Sequence, residues 1–349
     1  MQRQPLEIQT IYAELLERLA ALEAQRAIGH AQGTFTLKTV KGGEYYYFQV
    51  SDPGGTKRQI YIGKRDSALD SAVSRFDSAR EDVAAERISI DRLVSLLRAG
   101  GAATADAPTA RVLRALADAG VFHQGAVLVG THAFAVLGNV LGVRWVGGSM
   151  RTQDFDLAAG FHMSVAVPAS ASDVPKVLEG LEMGFVPVPA FSRNGPSTSF
   201  KVRGSSLRVD LLTLARGAET GTVALPALGA SAHALRFLDY VMQDWIAAAL
   251  IGEGGVQVNV PDPARFALHK LVVAAERPAA MQTKREKDLW QAGQVLDVLF
   301  EDRAGDVDGA WAALGAYGQG LAKRVGDSLS GLERVAPEAG ENLRRLIER

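Results

Sequence analysis

The stretch that most restricts the fold lies between residues 124 and 213, where short apolar runs of strand length alternate with helical patterns. Ala126-Val127-Leu128-Val129 is one such run; it ends at Gly130, and residues 132–141 then carry apolar side chains at helical spacing. A helix at 111–119 comes before it, and a strand is expected after it through Thr152 to Leu157. A helix from Ser172 to Leu181, strands near 185–188 and 198–203, and a strand from Leu207 to Thr213 complete the pattern. Strands interleaved with helices imply an α/β or α+β sheet domain over about residues 110–225, with a mixed sheet flanked by helices.

The flanks have other textures. Residues 5–30 place Leu6, Ile8, Ile11, Leu15, Leu16, Leu19 and Leu22 mostly three and four apart, which predicts one helix. From Thr34 to Gly63, β-branched and aromatic residues surround the turn signals Gly42-Gly43 and Asp52-Pro53-Gly54-Gly55, so a small antiparallel sheet is expected. Residues 66–98 return to helical spacing and read as two helices, and AGGAATADAPTA at 99–110 reads as a flexible joint. The tail is expected to be helical, with Pro261 and Pro263 marking entry to one helix and a second at 282–300. The chain thus divides into an N-terminal helical and β-hairpin module (1–105), a sheet domain (106–225) and a C-terminal helical domain (226–349).

Composition removes several classes. Hydrophobic residues at 47% and charged residues at 22% describe an ordinary globular protein, and no repeat of fixed period is present. A net charge of -1 provides no global field for nucleic acid or an anionic membrane, so partners must be argued locally. Without cysteine there is no disulfide, thiolate metal site or cysteine nucleophile. No secretion signal or spanning segment is visible: the most apolar later stretch, Trp245 to Gly252, is far shorter than a membrane helix, so a cytoplasmic protein is expected. The histidines at 30, 123, 132, 162, 233 and 269 lack metal-ligand spacing, and neither a G-x-S-x-G elbow nor a Walker lysine occurs.

The chemistry concentrates in Arg151-Thr152-Gln153-Asp154-Phe155-Asp156-Leu157. On a strand, Thr152, Asp154 and Asp156 share one face, and two converging carboxylates repel unless a cation lies between them. Hard oxygen ligands of this kind suit Mg²⁺, with Mn²⁺ the alternative. Asp210, in Ser206-Leu207-Arg208-Val209-Asp210-Leu211, projects opposite to the buried Leu207, Val209 and Leu211 and offers a third carboxylate; a plain salt bridge to Arg208 is the competing use. Gly130-Thr131 opens a helix where a phosphate fits against free amides, with the Thr131 hydroxyl as an added donor. Arg151 and Thr152 are further nucleotide-binding candidates, Arg151 having strand capping as its alternative. Lys284, Arg285, Lys287 and Asp288 form a charged run that contacts phosphates or is simply a wet helix face, and His132 has a capping or packing role. The Tyr45-Tyr46-Tyr47-Phe48 and Lys57-to-Gly63 strands either stack bases of a nucleic acid or cover neighbouring helices.

The order Gly130-Thr131, Asp154/Asp156, Asp210 resembles the nucleotidyltransferase superfamily of the DNA polymerase β-like fold, whose pattern is a Gly-Ser or Gly-Gly turn into a helix, D-x-D, and a later single carboxylate. The likeness is to a little-characterised bacterial group and runs through VLVGTHAFAVLGNVLGV, RTQDFDLA, LRVDLLT, VPDPARFALHKLVVAAER and KREKDLWQAGQVLDVL, roughly residues 124–300. Thr131 departs from the usual Ser or Gly but keeps a hydroxyl. The resemblance implies transfer of NMP from an NTP such as ATP to an acceptor hydroxyl on tRNA or other RNA, a protein or a small molecule. It implies Asp154 and Asp156 as metal holders, Asp210 as an aid to the base, and Lys270 reaching the nucleotide phosphates. Toxin-like transferases of this fold exist, and the resemblance to them adds an antitoxin to the partners to be looked for. The alternatives are a non-catalytic nucleotide- or nucleic-acid-binding module and a two-metal phosphodiesterase.

Overall fold

The structure is a computed structural model that describes residues 1–27, 33–40, 42–51, 57–146, 154–158, 173–188, 197–215, 221–226 and 229–349; within these, the side chains of 24–27, 50, 51, 57, 58, 79–81, 154–158 and 319 are not described. Strand β1 (Gln2–Arg3) leads into helix α1 (Leu6–Ala27). The antiparallel strands β2 (Thr34–Val40), β3 (Gly43–Ser51) and β4 (Lys57–Lys64) follow, and then helix α2 (Ser67–Ala99). The expected pair of helices at 66–98 is thus one helix of 33 residues. No glycine or proline interrupts Ser67–Ala99, so nothing ends the helix until Gly100-Gly101. Asp66 caps its start by accepting from the Leu69 amide at 2.8 Å.

The two halves of α2 do different work. Its second half sends Ile90, Val94 and Leu97 against Leu15, Leu19 and Leu22 of α1. Its first half carries Phe76, which meets Phe35 and Phe48 of the small sheet edge-on at ring distances of 5.1 and 5.6 Å.

The segment read as a flexible joint is fastened. The Ala103 amide donates to Asn139 Oδ1 at 2.9 Å, Asn139 Nδ2 donates back to the Ala103 carbonyl at 2.8 Å, and the Ala105 amide donates to the Ile251 carbonyl at 2.9 Å. Asn139 is 2% exposed and also accepts from Gln4 Nε2 at 3.3 Å, so one buried amide joins three segments distant in sequence. Asn139→Ala leaves buried donors and an acceptor without partners and is expected to cost about 2–3 kcal/mol, read as a lower urea midpoint with an unchanged slope. An unmoved midpoint would show that water replaces the side chain without loss.

Helix α3 (Ala107–Asp118), capped by Asp106, brings the chain to β5 (Val127–Val129), α4 (Gly130–Val140), β6 (Val143–Arg144), which pairs with β1, and β7 (Asp154–Ala158). Helix α5 (Val174–Gly180), β8 (Phe185–Pro187), β9 (Ser199–Val202), β10 (Arg208–Leu214) and β11 (Thr222–Leu225) come next. Where only helices were expected beyond 225, the chain first forms β12 (Ala230–Leu235), the short helix α6 (Leu238–Met242), and the hairpin of β13 (Trp245–Leu250) with β14 (Val256–Pro261). Ala247, Ala248 and Ala249 favour helix by intrinsic propensity, but pairing with the valine-rich β14 and burial override it. The helices α7 (Pro263–Glu276), α8 (Gln282–Asp302), α9 (Ala304–Ala316), α10 (Gln319–Val335) and α11 (Pro337–Ile347) close the chain.

In the main sheet β7 runs antiparallel to β5 and parallel to β10; β12 is parallel to β10, while β9 and β11 pair antiparallel. It is a mixed sheet. One buried apolar cluster extends from Ala110 to Leu343 and joins residues on both sides of position 225. On β10, Val209 and Leu211 enter that cluster, while Leu212 and Leu214 on the other face pack with Leu238 and Val241 of α6. Helix α6 therefore covers the far end of that face and leaves the Arg208–Asp210 end uncovered by it. No helix among the described residues is long and apolar enough to cross a membrane.

Candidate active site

The candidate site forms where β5, β7, β10 and β9 line up. Backbone register pairs Val129 with Asp156, Asp156 with Asp210, and Asp210 with Ser199, which makes one continuous rung across four strands. Asp154 is the register partner of Arg208, one alternation further along. The chain leaves the rung at Val129 and enters α4 through Gly130, whose φ of 70° suits only a residue without a side chain at low cost. Among the described residues no side chain caps α4, unlike α2, α3, α5 and α7, whose starts are capped by Asp66, Asp106, Asp173 and Asp262. The N-cap residue of α4, Val129, has no polar side chain to cap the helix, and the amide of the half-buried Thr131 starts the helix beside the rung.

Helix α4 is held firmly from behind. Phe134, fully buried, stacks on Trp145 at 4.6 Å and meets Trp290 of α8 at 5.3 Å, and Trp145 Nε1 donates to the Phe134 carbonyl at 2.7 Å.

Asp210 is the one carboxylate of the trio whose side chain is described. Its Oδ1 accepts from Arg208 Nε at 2.6 Å and from the Ser199 hydroxyl, and Arg208 Nη2 donates to Ser199 Oγ at 2.9 Å. The salt bridge to Arg208 that competed with a metal-binding role therefore exists. Among the described residues both of these donors fall on Oδ1. Ser199, 7% exposed, was not singled out in the sequence; it lies on β9, eleven residues before Asp210, and only the strand pairing brings them together.

The other candidates fall in three places. Arg151 and Thr152 lie outside the described residues. Lys270, on α7, donates to Asp288 Oδ1 at 2.7 Å with its side chain 13% exposed, and Arg277 reaches the second oxygen of Asp288 at 3.0 Å. In this arrangement Lys270 serves to tie α7 to α8. Lys287 lies half-buried on α8 next to that ion pair. His269 has its pKa pulled down to about 4, by burial first and by the neighbouring Lys270 charge second, so it is neutral at neutral pH.

Backbone register sets Asp154 and Asp156 on the strand beside Asp210, and carboxylate oxygens are the kind of ligand that a hard divalent cation such as Mg²⁺ or Mn²⁺ takes. Among the described residues there is no cluster of three or more His, Asp or Glu side chains able to hold a metal elsewhere in the chain.

A mixed sheet with a carboxylate pair on one strand, a third on its parallel neighbour and a glycine-started helix at their ends defines a nucleotidyltransferase fold. The chain belongs to the nucleotidyltransferase family: a family model of that description matches residues 107–315, more than half of the sequence. A second model, for a domain of unknown function, matches residues 6–70. No curated protein matches the chain. Among solved structures it is similar to the crystal structure of an antigenic nucleotidyltransferase-like protein from Paracoccidioides brasiliensis, at 12% identity and a TM-score of 0.32, over 63% of this chain and 93% of that one.

Proposed function

We propose that this chain transfers a nucleoside monophosphate from an NTP to an acceptor hydroxyl and releases pyrophosphate. The observation that carries the reading is the rung: Asp156 and Asp210 are register partners on parallel strands, and the uncapped start of α4 leaves the same rung one residue after Val129. In this reading the acceptor oxygen forms a bond to the α-phosphorus while the bond to the pyrophosphate oxygen breaks, and the acceptor proton passes towards the carboxylate of Asp210. Asp154 and Asp156 hold the divalent cation, which when bound would neutralise triphosphate charge and acidify the attacking hydroxyl. The α4 amides and Thr131 bind phosphate oxygens. Arg208 and Ser199 orient Asp210 from the side facing β9.

The test is incubation of the purified chain with each α-³²P-labelled NTP, Mg²⁺ and total cellular RNA and protein, beside the Asp154→Ala/Asp156→Ala variant. Label on RNA or protein with the parent chain and none with the variant is the expected result. Metal-dependent nucleotide binding with no label from any NTP would point instead to a binding module, and cleavage of RNA without need of an NTP to a phosphodiesterase.

A further inference from the structure

The β2–β3–β4 sheet has a face that the transfer reading does not use. Strand pairing sorts its side chains: Phe35, Tyr46 and Phe48 fall on the face turned to α2, while Thr36, Lys38, Tyr45, Tyr47, Gln49, Gln59 and Tyr61 fall on the other. On that outer face Tyr61 lies 6.2 Å from Tyr45 and 5.6 Å from Tyr47, ring to ring, and is itself 57% exposed. Lys38 Nζ lies 5.2 Å from the Tyr47 ring and donates to Gln59 Oε1, and Gln59 donates in turn to Gln49 Oε1 at 3.1 Å. The surface is a row of rings and amides rather than an apolar patch.

Charge distinguishes the segment that forms this sheet from the rest of the chain. Between residues 34 and 65 there are six basic residues, Lys38, Lys41, Lys57, Arg58, Lys64 and Arg65, against Glu44 and Asp52, in a chain of net charge -1. Arg65 is engaged with Glu44 and Asp70, and Lys38 and Lys64 stand on the tyrosine face. Aromatic rings on strands with cations beside them stack unpaired bases and attract phosphates; a duplex, whose bases already stack on each other, offers the rings nothing. The Gln49 and Gln59 amides and the tyrosine hydroxyls add hydrogen-bonding groups of the kind a 2′-hydroxyl uses.

We infer that the outer face of this sheet binds a single-stranded stretch of RNA, with bases on Tyr47 and Tyr61 and phosphates at Lys38 and Lys64. Resting on the transfer reading, this makes RNA the acceptor class. Helix α2 sets the spacing: Phe76 lies under the sheet and Ile90 in the cluster with α1, so about 21 Å of helix separates the RNA face from the body of the protein.

Binding is measured by fluorescence anisotropy of a labelled oligouridylate dodecamer with the full chain, with no NTP present. Tyr47→Ala and Tyr61→Ala are each expected to weaken binding about tenfold, while Tyr61→Phe stays near the parent value. Lys38→Ala is expected to flatten the dependence of log affinity on log salt by about 0.7. Asp210→Asn is expected to bind like the parent, so loss of transfer and loss of RNA binding are separately visible. Alanine variants that bind as tightly as the parent would overturn the inference, as would equal affinity for a duplex or for DNA of the same sequence.

Discussion

Asp210→Asn is expected to slow nucleotidyl transfer by about 10²–10³-fold while the thermal midpoint and RNA affinity stay at parent values. The substitution keeps the shape of the side chain and an oxygen able to accept from Ser199 and Arg208, so the β9–β10 pairing has little reason to move. What it removes is one negative charge on the rung beside Asp156. In the proposed transfer reaction that charge would support both a bound cation and removal of the acceptor proton. Several kcal/mol of transition-state stabilisation are at stake, and each 1.36 kcal/mol is tenfold in rate. Single-turnover transfer of labelled NMP measures it, and a variant as fast as the parent would remove Asp210 from the machinery.

Asp288→Ala is expected to have the largest effect on stability, about 3–5 kcal/mol, read by urea unfolding. Asp288 is 3% exposed and receives both Lys270 and Arg277, so its removal leaves two cations facing each other between α7 and α8. The double variant Lys270→Met/Asp288→Leu should lose less than Asp288→Ala alone, because the more buried cation leaves with the carboxylate and only Arg277, 28% exposed, is left unpaired. The pair also separates two roles for Lys270. If it serves the ion pair, Lys270→Met loses stability and keeps its KM for NTP; a raised KM at unchanged stability would return it to the nucleotide.

Much of the sheet domain was legible because its strands announce themselves locally. Val127-Leu128-Val129 ahead of Gly130, and the alternation Leu207, Val209, Leu211 against Arg208 and Asp210, are readable without knowing their neighbours. Asp262 followed by Pro263 likewise marks a capped helix start, and α7 begins there. What stayed hidden depends on partners far along the chain. Ser199 matters only because β9 folds against β10, and the Ala103 joint is fastened by Asn139, whose amide looks like any polar residue on a helix. The β13–β14 hairpin hides for the same reason, since the alanines of Trp245–Leu250 form a strand only once β14 is beside them. Lys270 illustrates the converse: a cation that the family resemblance assigned to the nucleotide has its charge met by Asp288 from the next helix.

The single helix α2 ties the small sheet to the body as a shaft ties a wheel to an axle, and a shaft has a phase. Each residue added to or removed from an α-helix turns everything beyond it by about 100° and shifts it by about 1.5 Å. One extra residue between Phe76 and Ile90 would swing the tyrosine face a quarter-turn away from its present heading, whereas seven would restore nearly the same heading about 10 Å further out. Chains that keep this pairing of modules should therefore differ in α2 length by whole heptads, with α1 matching them step for step.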